Sequence, residues 1–181
     1  MIKMIVTDLD GTLLNKNEEI SKYTISVLEK CKEKGIKIVI ATARSKLATE
    51  EIINLIKPDF SILSDGALIL NKDDEVINNE LYSLDKLEKI DDEYMGNYES
   101  KKMNAINILS KSQDISLFEI AAFGDGENDI EMIKKCGIGI AMENSIHAVK
   151  RLSKGICGNN SEDGVAKWIK ENILSEFEGI K

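Results

Sequence analysis

The 181-residue sequence predicts an α/β domain: a doubly wound, three-layer α/β/α sandwich around a central parallel sheet, with a rudimentary hairpin insertion. Two observations carry this. Short apolar runs alternate along the chain with stretches of helical period, and the run at 36–40 is an almost unbroken β-branched string, as in a strand covered on both faces. Several of these runs also end abruptly in acidic, hydroxyl or glycine residues, which gathers polar groups at one end of the sheet.

The first strand is Met4-Ile5-Val6-Thr7, and it runs into Asp8-Leu9-Asp10-Gly11-Thr12-Leu13-Leu14. Strand side chains repeat every two residues, so Asp8 and Asp10 are expected to leave on the same side and share one small space. Like charges that close raise each other's pKa unless a proton or cation intervenes. A hard divalent ion such as Mg2+, which takes oxygen ligands, resolves the repulsion; a solvated acidic turn is the plainer reading of such a pair in isolation.

A helix follows as far as Gly35, with Ile20, Thr24, Val27, Leu28 and Cys31 at helical spacing, Ser21 as its N-cap and Gly35 as its stop. The strand 36–40 delivers Ala41-Thr42-Ala43-Arg44, and a helix over about 46–56 ends before Pro58. Phe60-Ser61-Ile62-Leu63 is a third strand, Ser64-Asp65-Gly66 a turn, and 67–70 with 75–77 a hairpin.

From Lys102 the alternation resumes. Ala105, Ile106 and Leu109 mark a helix, and Glu119 to Phe123 a strand ending in Gly124-Asp125-Gly126-Glu127-Asn128-Asp129. Ile130 and Ile133 mark the next helix, closed by Gly137, and Ile138-Gly139-Ile140-Ala141 the next strand. A helix near 145–152, a weak strand at 155–157 and a final helix from about Glu162 complete the pattern. Val165, Trp168, Ile169 and Ile173 share one face of that helix, which makes Trp168 a core anchor; His147 reads as a helix-surface residue.

Composition narrows the function classes. Hydrophobic residues make up 43% and charged residues 31%, with a net charge of −8, the profile of a soluble globular chain. No basic face is visible, which argues against non-specific binding of nucleic acid or an anionic membrane. No apolar run reaches the length of a membrane span, and Asp8 interrupts the first residues before a secretory apolar stretch, so a cytoplasmic location is expected. Cys31, Cys136 and Cys157 are widely spaced and read as reduced thiols, and a single histidine leaves little material for a zinc site or a Ser-His pair. Residues 71–99 hold ten acids against three bases and read as a solvated connector with one short helix near 84–90; a docking surface for a basic partner is the alternative.

In doubly wound sheets ligands collect beyond the carboxyl ends of the strands. Asp8 and Asp10, Thr42, Asp125 with Asn128 and Asp129, and Lys102 at a helix start all converge on that edge, a set suited to Mg2+ and a phosphate. Asp8-Leu9-Asp10-Gly11-Thr12-Leu13, Ile40-Ala41-Thr42-Ala43-Arg44, Lys102 with Ala105, and Gly124-Asp125-Gly126-Glu127-Asn128-Asp129 resemble, in order, the four motifs of the haloacid dehalogenase superfamily of phosphohydrolases. Ile140-Ala141-Met142-Glu143-Asn144-Ser145 and Asn160-Ser161-Glu162-Asp163-Gly164-Val165-Ala166 look like later signatures of its Cof-type branch.

The resemblance implies a Rossmann-like core and a phosphatase acting on a small phosphorylated metabolite, such as a sugar phosphate. It implies Asp8 as nucleophile and Asp10 as acid and then base. Mg2+ would be held by Asp8, the Asp10 carbonyl and Asp125. Thr42, the Ala43 amide, Lys102 and Asn128 would bind phosphate, with Asp129 orienting Lys102 or the ion's waters from behind. Lys101 is the fallback if the spacing to Ala105 misleads.

Relatives of this type usually carry a large cap, whereas here only 71–101 is available, as a reduced cap or connector within one domain spanning 1–181. The site is therefore expected to be open, and a neighbouring copy in a homo-oligomer is expected to supply a lid. Asp65 stands where relatives often have Asn, and Glu143 replaces a common glycine. Two other readings stay in view: a phosphate- and Mg2+-binding or phosphoaspartate-signalling domain with little turnover, and a phosphoryl transferase.

Overall fold

The computed structural model describes residues 1–79 and 101–178. Its strands are β1 (Met4–Thr7), β2 (Lys37–Ala41), β3 (Phe60–Leu63), β4 (Leu68–Asn71), β5 (Val76–Asn79), β6 (Ile120–Gly124), β7 (Ile138–Met142) and β8 (Gly155–Cys157). The helices are α1 (Lys22–Glu33), α2 (Lys46–Ile56), α3 (Lys101–Ser112), α4 (Ile130–Lys135), α5 (His147–Leu152) and α6 (Gly164–Ile169), which runs on through 170–174 into α7 (Ser175–Glu178). The helix expected near 84–90, and most of the expected reduced cap, lie outside the described residues.

All eight strands join one sheet in the order β5-β4-β3-β2-β1-β6-β7-β8. Pairing is parallel from β3 across to β8, and the hairpin β4–β5 adds an antiparallel edge with a register shift at Ile69/Leu70. The chain steps outward from β1 through β2 and β3, then crosses back to β6 on the other side of β1. The order reverses between β1 and β6, and a crevice opens at their carboxyl ends.

The period-two alternation of the strands builds two cores. Ile5, Ile38 and Ile40 face one layer with Val27, Leu28, Val165 and Ile169; Met4, Val6, Val39 and Ala41 face the other with Ala105, Ile106, Leu109 and Ile133. The first layer is α1, α2 and α6, the second α3, α4 and α5. Trp168 sits edge-on to the buried ring of Phe123, with centroids 5.4 Å apart, and anchors α6 to the sheet as its spacing predicts. His147 is exposed and the three cysteines are free and buried.

Element boundaries move where a side chain takes a competing partner. Ser21 caps α1 by accepting from the Thr24 amide, and Gly35 ends it with φ +78°, both as read from the sequence. The strand expected from Glu119 starts at Ile120, because Glu119 closes a capping box with Ser116. Ser145 turns inward to bond the Gly124 carbonyl at 3.2 Å, so α5 begins at His147. The last helix starts at Gly164 rather than Glu162: Asp163 is left-handed and accepts hydrogen bonds from Ser21 and Thr24, tying α6 to the start of α1.

Ile106 is wholly buried whereas Leu47 on α2 is 83% exposed. Urea denaturation is expected to show Ile106→Ala losing about 3 kcal/mol and Leu47→Ala within about 0.5 kcal/mol of the unaltered chain; comparable losses would contradict this assignment of the core.

Candidate active site

Asp8 follows β1 and Asp125 follows β6, so the two carboxylates meet where the strand order reverses. The Asp8 amide still donates to the Phe123 carbonyl at 3.1 Å, which extends the ladder and fixes where its side chain starts. Beyond Asp8 the backbone leaves strand geometry. Gly11 adopts φ +72° and the Leu14 amide closes on the Leu9 carbonyl at 2.9 Å. A Cβ at Gly11 would collide with the Asp125 carboxylate, so only glycine brings this loop so near. Thr12 then donates to Asp125 Oδ1 at 2.8 Å.

Lys102 lies in the first turn of α3 and is 0% exposed, whereas Lys101 is exposed, so of the two it is Lys102 that turns to the acids. Its Nζ donates to Asp8 Oδ1 at 2.7 Å and to Asp129 Oδ1 at 2.8 Å. Asp129 Oδ2 accepts from the amides of Asp125 and Gly126, each at 3.0 Å. Asp8, Asp125 and Asp129 each offer one oxygen within 4.8 Å of the others. One ammonium cannot balance three carboxylates. Because both Asp129 oxygens are engaged by protein donors, Asp8 and Asp125 are left as an all-oxygen pair suited to a hard divalent cation. Asp129 is the second carboxylate that Lys102 bonds, opposite Asp8.

The electrostatics follow from burial. Burial pushes the Asp8 carboxyl up to about 7 against the pull of Lys102, with Asp129 and Asp125 adding to the rise. Burial also works to lower the Lys102 ammonium, but Asp8 and Asp129 outweigh it and hold it above its ordinary value. Asp125 is raised by burial, opposed by the hydrogen bond from Thr12.

Asp10 departs from the simple alternation. The loop beyond β1 carries it out of the shared space, and its carboxylate, 50% exposed, pairs with Arg44 instead of joining Asp8. Among the described residues the clustered acids are therefore Asp8, Asp125 and Asp129. Thr42 is buried just past β2; its hydroxyl oxygen accepts from the Arg44 amide at 3.1 Å, and Ala43 beside it is exposed. Asn128 donates to Asp65 Oδ1 at 3.0 Å, linking the loop after β6 to the turn after β3.

Two asparagines brace the loop from a third side. Asn144 donates to the Gly11 carbonyl at 2.7 Å and accepts from the Asn160 amide at 3.0 Å, while the Asn160 side chain donates to the Leu14 carbonyl at 2.8 Å. The contacts of Thr12, Arg44, Asn144 and Asn160 are not anticipated from the sequence, although all four residues fall inside the quoted motifs.

The model of the haloacid dehalogenase-like hydrolase family matches residues 5–97 and 94–169. A 5-amino-6-(5-phospho-D-ribitylamino)uracil phosphatase of Bacillus subtilis is 25% identical over 240 residues, covering 96% of each chain. That alignment is longer than the 181-residue chain, so this relative carries segments that the present chain lacks. A second B. subtilis protein of the same description is 50% identical over 52 residues, which span 29% of this chain and 19% of the relative. In fold, a haloacid dehalogenase-like hydrolase from B. subtilis superposes with a TM-score of 0.82 at 18% identity, covering 95% of this chain and all of the other. With family motifs matched along most of its length, and its acids and lysine gathered at the sheet's switch point, the chain belongs to the haloacid dehalogenase-like hydrolases and is a phosphohydrolase of that family.

Proposed function

We propose that the protein is a Mg2+-dependent phosphatase of small, sugar-phosphate-like monoesters that works through a phosphoaspartate on Asp8. One observation carries this reading: a fully buried ammonium, Lys102, bridges Asp8 and Asp129, with the Asp125 carboxylate in the same cluster. That constellation holds the proposed carboxylate nucleophile next to a fixed cation and a pair of oxygen ligands, as transfer of a phosphoryl dianion to a carboxylate requires. The names of the two B. subtilis relatives, with phosphate on a ribitylamino chain, support the substrate class.

In this mechanism Asp8 attacks phosphorus and the leaving oxygen takes a proton from Asp10. Asp10 next accepts a proton from the water that opens the acyl phosphate, and phosphate leaves. Lys102, the Thr42 hydroxyl and the Ala43 amide bind phosphoryl oxygens, and Asn128 contributes from the facing loop. Asp8, the Asp10 carbonyl and Asp125 would hold Mg2+, which would supply neutralisation of those oxygens. Asp129 keeps Lys102 aimed at Asp8.

Three outcomes test the proposal. With p-nitrophenyl phosphate, turnover is expected in Mg2+, is expected to vanish with a chelator, and is expected to fall by more than about a thousandfold in Asp8→Asn. A stable acyl phosphate without turnover would instead point to a signalling domain.

The second outcome concerns pH. Because the folded Asp8 carboxyl is raised towards about 7, its contribution to the stability of the metal-free chain is complete below the ordinary carboxylate range and is lost as pH rises through 7. Mg2+ requires the ionised form, so its effect has the opposite sign. The rise in melting temperature caused by Mg2+ is expected to be larger at pH 8 than at pH 5, and equal increments would remove Asp8 from the ligand set.

Third, with only 71–101 available as a lid, a panel of phosphate esters is expected to give high KM values and little discrimination. Sharp preference for one sugar phosphate would contradict an open site.

A further inference from the structure

Arg44 is the cation at the crevice that the mechanism above leaves without a role. Its Nε donates to Asp10 Oδ2 at 2.8 Å, and one of its terminal nitrogens bonds both Asp10 Oδ1 and Glu18 Oε2, the latter at 2.8 Å. Both oxygens of Asp10 are thereby held in a planar fork, an arrangement that sets the plane of the carboxylate.

Arg44 is itself fixed at three points. Its amide donates to Thr42 Oγ1 at 3.1 Å, its carbonyl accepts from the Ser64 amide at 2.9 Å, and Glu18 holds the guanidinium. Glu18 is presented by a closed loop, in which Asn15 Oδ1 accepts from the amides of Asn17 and Glu19 at 2.8 and 3.1 Å.

Asp10 is half exposed and Glu18 is 70% exposed, and ion pairs this open add little to stability. What the fork adds is direction. An exposed carboxylate next to a glycine turn would otherwise sample several rotamers, whereas here it is an acceptor with a set orientation.

We infer that Arg44, braced by Glu18, is a positioning residue that holds Asp10 as the base for breakdown of the phosphoaspartate. In that step the water oxygen bonds to phosphorus and the bond from phosphorus to the Asp8 oxygen breaks. Its electron pair returns to the Asp8 carboxylate, the water proton passes to Asp10, and inorganic phosphate departs. The forked Asp10, with both oxygens held as acceptors, suits this second half. The first half asks Asp10 for a proton only when the leaving group is poor. The inference rests on the phosphatase reading.

The experiment is rapid mixing of the whole chain with p-nitrophenyl phosphate and Mg2+, because p-nitrophenolate leaves without acid assistance. In Arg44→Ala, the first turnover is expected to keep within about twofold of the unaltered rate, while the steady-state rate falls at least about tenfold and acyl phosphate accumulates. Glu18→Gln, which leaves the fork itself in place, is expected to shift the two phases apart in the same direction by a smaller factor, and it serves if Arg44→Ala does not fold. Arg44→Lys is expected to recover only part of the steady-state loss, since one ammonium cannot engage both carboxylate oxygens.

Equal loss of both phases, or full recovery by Arg44→Lys, overturns the inference. A wild-type chain that releases no p-nitrophenolate in Mg2+ overturns the phosphatase reading itself, a result distinct from either.

Discussion

The arrangement of the molecule turns on an ammonium group with no access to solvent. Lys102 brings a charge into the second core layer, and such a charge is tolerated only when it is paired and hydrogen-bonded. Its partners, Asp8 and Asp129, come from the ends of β1 and the loop after β6. Three segments distant in sequence are thus bound into one unit, because withdrawing any member strands an uncompensated charge. The docking of α3 on the sheet and the direction of the Asp8 carboxylate are two aspects of one contact.

Around that centre, the acids at the crevice are met by donors from several elements. Asp129 is satisfied by two backbone amides as well as the lysine, Asp125 by Thr12, Asp10 by Arg44, and Asp65 by Asn128. This division of partners lets several carboxylates stand close together while their environments differ widely, from a nearly enclosed Asp8 to a half-exposed Asp10. Environments that differ so much are what the proposed roles of nucleophile, ligand, base and support ask of one residue type.

Much of the fold is legible in the residues because periodicity decides it. The strings at 36–40 and 60–63 have no amphipathic alternative, and the spacing of Ala105, Ile106 and Leu109 identifies the buried face that carries Lys102 with it. Element ends are less legible, as Glu119, Ser145 and Asp163 illustrate: each has a short polar side chain or an acid that prefers a cap or a turn to the regular element it borders. In the site, Asp8, Lys102 and Asp125 can be placed because each sits at the end of a recognisable element. The bonds from Thr12 to Asp125 and from Asn144 to Gly11 join residues more than a hundred positions apart, and the pairing of Asp10 with Arg44 depends on a loop whose path is set by the left-handed Gly11. No local pattern encodes such pairings.

The turn after β3 has a consequence beyond the site. Gly66, at φ +107°, lies so close to the backbone carbonyl of Lys101 that a Cβ there would overlap it. The core therefore grips the first turn of α3 directly, independently of the chain that connects β5 to it. A change of length between 79 and 101 would leave this contact in place, so the seat of the buried lysine is set by the turn after β3 and not by the length of that connection.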